Sequence, residues 1–284
     1  MLPCTFKLLT PLSIVRKEFG KKLLTSILKH FPDHVPRVYG DVEPLRRRFD
    51  AEQLDVALEC WGHRVFMTQR KESQASMMVS FPNASKFNHS SVAYFNFPLA
   101  GIHELPSLRL LLHELSEAFA ADYAMAHILT RHELSERMLQ IAQRVTSWPE
   151  PPIETIMARM RRRIDREGYA RVLWGLEALK VNTRQLLQCL PNLFWLNVFG
   201  PPYTNLFGLK RLTDAPCNSV DQLPYGGVSL MLTQTLVDDP VEWSAYSAAR
   251  ERCKSHLGAD AFCGRSVSKD YPYLTPRFEH GMAS

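Results

Sequence analysis

The sequence predicts an α+β fold, an antiparallel sheet flanked by helices, and three observations carry that prediction. Arg16 to His30 repeats its apolar residues at helical spacing; from Arg64 the period shortens to brief β-branched and aromatic runs; and a strand, strand, strand, helix order recurs in the last third of the chain. Strands grouped in runs, with helices grouped beside them, fit helices on the face of an antiparallel sheet better than a parallel βαβ array.

The first helix places Phe19, Leu23, Leu24, Ile27 and Leu28 on one stripe and Lys17, Lys21, Lys22 and Lys29 off it. A second helix is expected to open at Phe49-Asp50. There Asp50 and Gln53 have the spacing of a capping box, Phe49 and Leu54 that of a hydrophobic staple, and the helix should stop before Gly62. Val65 to Thr68, Ser76 to Phe81 and Ser91 to Phe97 then read as three strands of a meander, with Pro98 ending the third. Ser107 to Leu129 reads as one long, largely buried helix, with Leu108, Leu111, Leu112, Leu115, Phe119 and Tyr123 on its apolar side.

Residues from about Arg131 to Gln188 are helical in character, interrupted by the stiff, proline-rich stretch Trp148 to Pro152. Strands are expected again at Phe194 to Val198, Asn218 to Gln222 and Val228 to Thr233, followed by a terminal helix from Val241 to Leu257. The chain thus divides into an N-terminal α+β half (1–130), a helical connector (131–190) and a C-terminal α+β half (191–284) within one compact unit. The repeated order permits two related halves.

At 284 residues, 45% apolar and 22% charged, the chain can bury a self-sufficient core. Its six cysteines, Cys4, Cys60, Cys189, Cys217, Cys253 and Cys263, show neither zinc-ligand spacing nor a disulfide framework, and are expected to be reduced and mostly buried. No apolar window reaches the ~18 to 20 residues needed to cross a bilayer. No secretory leader is visible either, so a soluble cytoplasmic protein is expected. The net charge of +5 is modest. Its densest cluster, Arg159, Arg161, Arg162, Arg163, Arg166 and Arg171, reads as a solvated helix face or a patch for an acidic partner. Nucleic acid is the weaker alternative, because few aromatics are interleaved for stacking.

Leu190 to Pro216 is dense in aromatics and turn formers and poor in groups that do chemistry. A strand ending at Gly200-Pro201-Pro202 in a rigid turn is expected, with Gly200 and Gly208 allowing positive φ or close backbone contact and Tyr203 and Phe207 covering the turn. This block, led by Phe199, Gly200, Pro201, Tyr203 and Gly208, resembles the immunity protein 52 family of bacterial polymorphic toxin systems. An early block is similar too: Pro36 to Gly40, including Tyr39 and Gly40, followed by Glu43, Pro44 and Leu45. So is a late one, Gly226 to Thr233 with a helix ending His256 to Phe262. The resemblance spans roughly residues 36 to 278. It implies a cytoplasmic protein that binds and neutralises a toxin, with those motif residues setting backbone shape.

Other constellations offer little chemistry. HELSE occurs at His113 to Glu117 and again at His132 to Glu136, but the second histidine of a zinc-binding helix is missing, so surface pairs are the simpler account and no metal is expected. Cys60 beside Trp61 and His63 reads as a buried thiol at a helix end, and no nucleophile elbow or phosphate loop is present. The expectation is a binder without catalytic groups or cofactor. Its partner would be a cognate toxin encoded by the adjacent gene, met by Lys86, Phe87, Asn88 and His89 and by Arg159, Arg161, Arg162, Arg163 and Arg166. The alternative is a hydrolase that reverses a toxin-made modification, with scattered His, Glu and Asp as its site.

Overall fold

The computed structural model describes residues 2–63, 65–70, 75–81, 91–133, 190 and 192–262. Its frame is one ten-stranded sheet in which every pairing is antiparallel. The strands are β1 (Leu2–Thr10), β2 (Val38–Gly40), β3 (Arg47–Arg48), β4 (Val65–Arg70), β5 (Ala75–Ser80), β6 (Ser91–Leu99), β7 (Tyr123–Ile128), β8 (Leu196–Phe199), β9 (Ser219–Gln222) and β10 (Val228–Met231). Their order is β3-β2-β4-β5-β6-β1-β7-β8-β10-β9. Among the described residues the helices are α1 (Lys17–His30), α2 (Leu54–Ala57), α3 (Leu105–Ala118), α4 (Pro201–Phe207), α5 (Leu209–Thr213) and α6 (Pro240–Leu257). The α+β class is therefore as the sequence predicts. The meander β4-β5-β6 follows chain order, whereas in the later trio β10 lies between β8 and β9, so the two sets of three strands are connected differently.

Strand alternation assigns each side chain to a face. One face carries Phe6, Leu8, Phe95, Phe97, Met77 and Val79 and is covered by α1 and α3: Phe31 beyond α1 packs on Phe97 with ring centroids 4.8 Å apart, and His113 of α3 reaches Ser229 at 2.8 Å. The opposite face over β7 and β8 is covered by α4 and α6, through Tyr123 against Tyr203 at 5.7 Å and His127 against Tyr246 at 5.4 Å. The central strands are thus sandwiched, and all six residues of β7 are buried.

That double burial explains the main departure from the sequence reading. Residues 107–129 are not one helix: α3 ends at Ala118, Ala120 turns the chain with φ 43°, and Tyr123–Ile128 becomes a core strand. A strand buried on both faces loses the two-residue alternation that would mark it. Its neighbour β6 runs on through Pro98, which lies opposite Pro3 of β1, a pairing that asks neither residue for an N–H.

Two local expectations are also corrected. Asp50 does not cap a long helix. Its Oδ1 accepts from the N–H of Glu52 at 2.9 Å, which spends the side chain on a turn; the helix starts only at Leu54 and tightens after Ala57 into a single 3-10 turn, Leu58–Cys60. Gly200-Pro201-Pro202 opens a helix instead of a rigid turn, since proline's fixed φ and missing N–H suit a first helical turn.

Candidate functional site

The motif residues behind the family resemblance fall into two regions. Phe199 and Tyr203 are fully buried, 5.6 Å apart between ring centroids, and each contacts Phe207 as well. Pro201 is exposed at the start of α4. Gly200 and Gly208 divide the two roles expected of them: Gly208 has φ 81°, while Gly200 has negative φ and lies against the backbone of Ala121. In the early block Tyr39 is buried beside Phe49 and Phe66, and its hydroxyl donates to the Val56 carbonyl at 3.4 Å. Gly40 ends β2, and Glu43 and Pro44 are exposed and joined by a cis peptide bond. Lys86, Phe87, Asn88 and His89, and Arg159, Arg161, Arg162, Arg163 and Arg166, lie outside the described residues.

The groups that could suggest chemistry are engaged in packing. Glu114 of α3 accepts from Lys22, Ser26, Lys29 and His30, all on α1, at 2.7 to 3.0 Å, which holds its carboxyl far below the usual range. His127 receives the N–H of Trp195 at Nδ1, so its proton sits on Nε2 and points at Glu133 2.8 Å away. Both partners of that pair are buried. Cys60 is bonded by the guanidinium of Arg47. No group of three or more His, Cys, Asp or Glu among the described residues is placed to hold a metal.

A polar band crosses the face opposite α1 and α3. Thr5, Lys7, Asn96 and His127 lie on it, on three adjacent strands. Lys7 is buried, and desolvation pushes its ammonium down to about 8. Among the described residues it makes no ion pair. Asn96 Oδ1 is buried without a partner among the described residues.

The described residues hold a small pocket under α1, against the ends of β4, β5 and β6. Leu24, Ile27, Phe31, Met77 and Phe97 form apolar walls, and His34 and Arg70 supply polar groups. The main chain brings these two together. The N–H of Arg37 bonds the Gln69 carbonyl at 3.0 Å, so the segment after α1 runs beside the end of β4. Arg70 donates one guanidinium arm to the carbonyls of Asp33 and Val35, while its Nε and His34 Nδ1 are buried without a partner among the described residues. Burial lowers the His34 pKa below its ordinary value, so the ring is neutral near pH 7. Sequence reasoning missed this pocket, because neither residue stands in a motif.

No helix among the described residues is long and apolar enough to cross a membrane. No protein-family model matches the chain, and no curated protein matches it. Among solved structures, one described as Pseudomonas aeruginosa T6SS protein PA0821 superposes with a TM-score of 0.52 at 14% identity, covering 89% of this chain and 76% of its own. At that identity the likeness is one of fold.

Proposed function

We propose that this chain is a cytoplasmic immunity protein that binds a cognate bacterial toxin stoichiometrically and occludes its active or target-binding surface. The observation that carries the reading is the coincidence of two independent likenesses. The ordered sequence blocks resemble an immunity family, and the fold follows that of a T6SS protein over 89% of the chain. A T6SS setting for this chain is part of the proposal.

The side-chain chemistry supports a binder over a hydrolase. His127 and Glu133 are sealed from solvent, and Glu114 is saturated by donors from a neighbouring helix. A catalytic base needs access to a substrate proton. An inhibitor needs instead a complementary surface of about 1,200 to 2,000 Å² centred on a few anchors.

Co-expression with the product of the adjacent upstream gene tests the reading. The expected result is rescue of growth together with a co-purifying one-to-one complex. Rescue without a complex would replace it with an enzyme that reverses the damage, and neither rescue nor complex would remove that gene product as the partner.

A further inference from the structure

The two ends of the sheet differ in charge. Among the described residues β3 closes one end, where Arg46, Arg47 and Arg48 stand in succession, all exposed. Arg47 lies opposite Tyr39 and its guanidinium bonds Cys60 Sγ. The side chains of Arg46 and Arg48 make no ion pair or hydrogen bond among the described residues, Asp41 and Glu43 in the connection from β2 included. At the far end the one charged residue of β9, Asp221, is already paired with Arg109. Main-chain geometry adds a second demand at β3. The Phe49 N–H donates to the Arg37 carbonyl at 3.0 Å, which makes those two a bonded pair of the ladder, and Val38 stands opposite Arg48. Bonded and non-bonded pairs alternate along an antiparallel ladder, so the N–H and C=O of Arg48 point away from β2, out of the end of the sheet. The row that Arg48 begins continues through Val38, Gln69, Ser76 and Asn96 to Thr5, with no carboxylate in it.

We propose that the outer edge of β3 is a docking edge for an extended acidic segment of the partner toxin, whose main chain pairs with Arg48 and whose carboxylates meet the guanidinium groups of Arg46 and Arg48. A strand added to an open edge takes its affinity from main-chain hydrogen bonds and its specificity from alternate side chains. Opposite charges across such a pair are favourable and like charges are not, so two arginines without an internal partner select glutamate or aspartate. Arginine on an edge also discourages a second copy of the same edge from pairing with it. A nucleic-acid backbone would supply anions, but it offers the Arg48 carbonyl no donor from its phosphates. The inference deepens the toxin-binding reading and rests on it for the identity of the partner.

The test is an NMR titration of the full chain with a short capped peptide alternating valine with glutamate, its glutamine and lysine counterparts, an N-methylated glutamate peptide and a single-stranded oligonucleotide. The glutamate peptide is expected to shift the Arg48 amide and to bind about tenfold or more tighter than the glutamine peptide, since charge-assisted hydrogen bonds are lost in the latter. Equal binding of the two, or binding of neither, overturns the site. N-methylated peptide binding as well as its parent overturns strand addition in favour of ion pairing alone, and tighter binding of the oligonucleotide replaces the peptide with nucleic acid. Arg48→Glu together with Arg46→Glu is expected to reverse the preference toward the lysine peptide. Arg48→Pro removes the outward N–H without breaking a hydrogen bond of the ladder, is expected to weaken every peptide alike, and serves if the charge-reversed variant fails to fold. Glutamate-selective binding by a chain that co-purifies with no toxin would sink the immunity reading alone. A toxin complex indifferent to all these substitutions, with no peptide binding, would sink the docking edge alone.

Discussion

Gly200 lies so close to Ala121 that a Cβ on the glycine would fall 2.0 Å from the Ala121 carbonyl oxygen, well inside van der Waals contact. The contact is held from both sides, because the Gly200 N–H donates to the Asp122 carbonyl at 2.9 Å while the Asp122 N–H donates to that of Leu9 at 2.9 Å. The start of α4 is thereby fixed to the turn between α3 and β7. Backbone atoms cannot swing aside as a flexible side chain would, so Gly200→Ala is expected to cost roughly 3 kcal/mol. Gly208→Ala has nothing within 4 Å of its new Cβ and pays only for its φ of 81°, about 1–2 kcal/mol. Thermal unfolding of both variants checks the order; equal losses would mean that the two glycines serve the same conformational purpose.

Glu114 binds α3 to α1 through one carboxylate that Lys22, Ser26, Lys29 and His30 all reach. Its pKa is depressed, first by the bond from Lys22, so the stabilisation is present above the ordinary glutamate pKa and is lost as pH falls through the lower folded value. Glu114→Gln should therefore destabilise the protein by about 1.5–3 kcal/mol at pH 7. The gap from the unsubstituted protein should narrow as pH drops below about 4. Urea unfolding at pH 7 and pH 3 measures it, and a gap that does not narrow with acid would assign the effect to packing.

Asp122 presents the opposite sign. It is buried, its Oδ2 has no hydrogen-bond partner among the described residues, and desolvation pushes its carboxyl up to about 7. The unfolded chain ionises near pH 4 while the native one stays protonated, so stability falls as pH rises from there through about 7 and then levels off. Asp122→Asn removes the penalty. It is expected to stabilise the protein by up to about 4 kcal/mol at pH 8 and by little at pH 4. A uniform effect across that range would show that the carboxyl is not the source.

Much of this fold was legible from pattern because half-buried elements keep their period. β5 alternates buried Ala75, Met77 and Val79 with more exposed neighbours, and α1 carries its apolar stripe as spaced. β7 escaped because, buried on both faces, it presents apolar text in which no two-residue period survives; the opening strand Leu2–Thr10 does alternate, Phe6 and Leu8 against Thr5 and Lys7, but its polar side is buried as well. The pocket was illegible on different grounds. His34 and Arg70 are far apart in the chain and meet only because Val38–Gly40 pairs with β4, a register that no local signal reveals. Gly200 and Gly208 stood out as special, yet only the folded backbone separates a steric requirement from a torsional one.

Cys217, after α5, and Cys253, on α6, form a thiol pair that the scattered cysteine spacing did not disclose. Cys253 Sγ donates to the Pro216 carbonyl at 3.3 Å, immediately beside Cys217, whose own Sγ donates to the Ser219 carbonyl at 3.3 Å. Each thiol is the largest influence on the other, lowering the Cys217 pKa and raising that of Cys253, so Cys217 is the thiol that ionises first. Hydrogen peroxide should therefore convert Cys217 to a sulfenic acid with release of water, and the Cys253 thiol should displace a second water to close a disulfide. Mass spectrometry of peptides after mild peroxide treatment should find Cys217 joined to Cys253, and Cys217→Ser should leave Cys253 reduced at the same dose. Over-oxidation of Cys217 with no cross-link would mean that the pair cannot reach bonding geometry from its native contact. A cross-link that forms equally fast in unfolding concentrations of urea would show that the native contact confers no advantage.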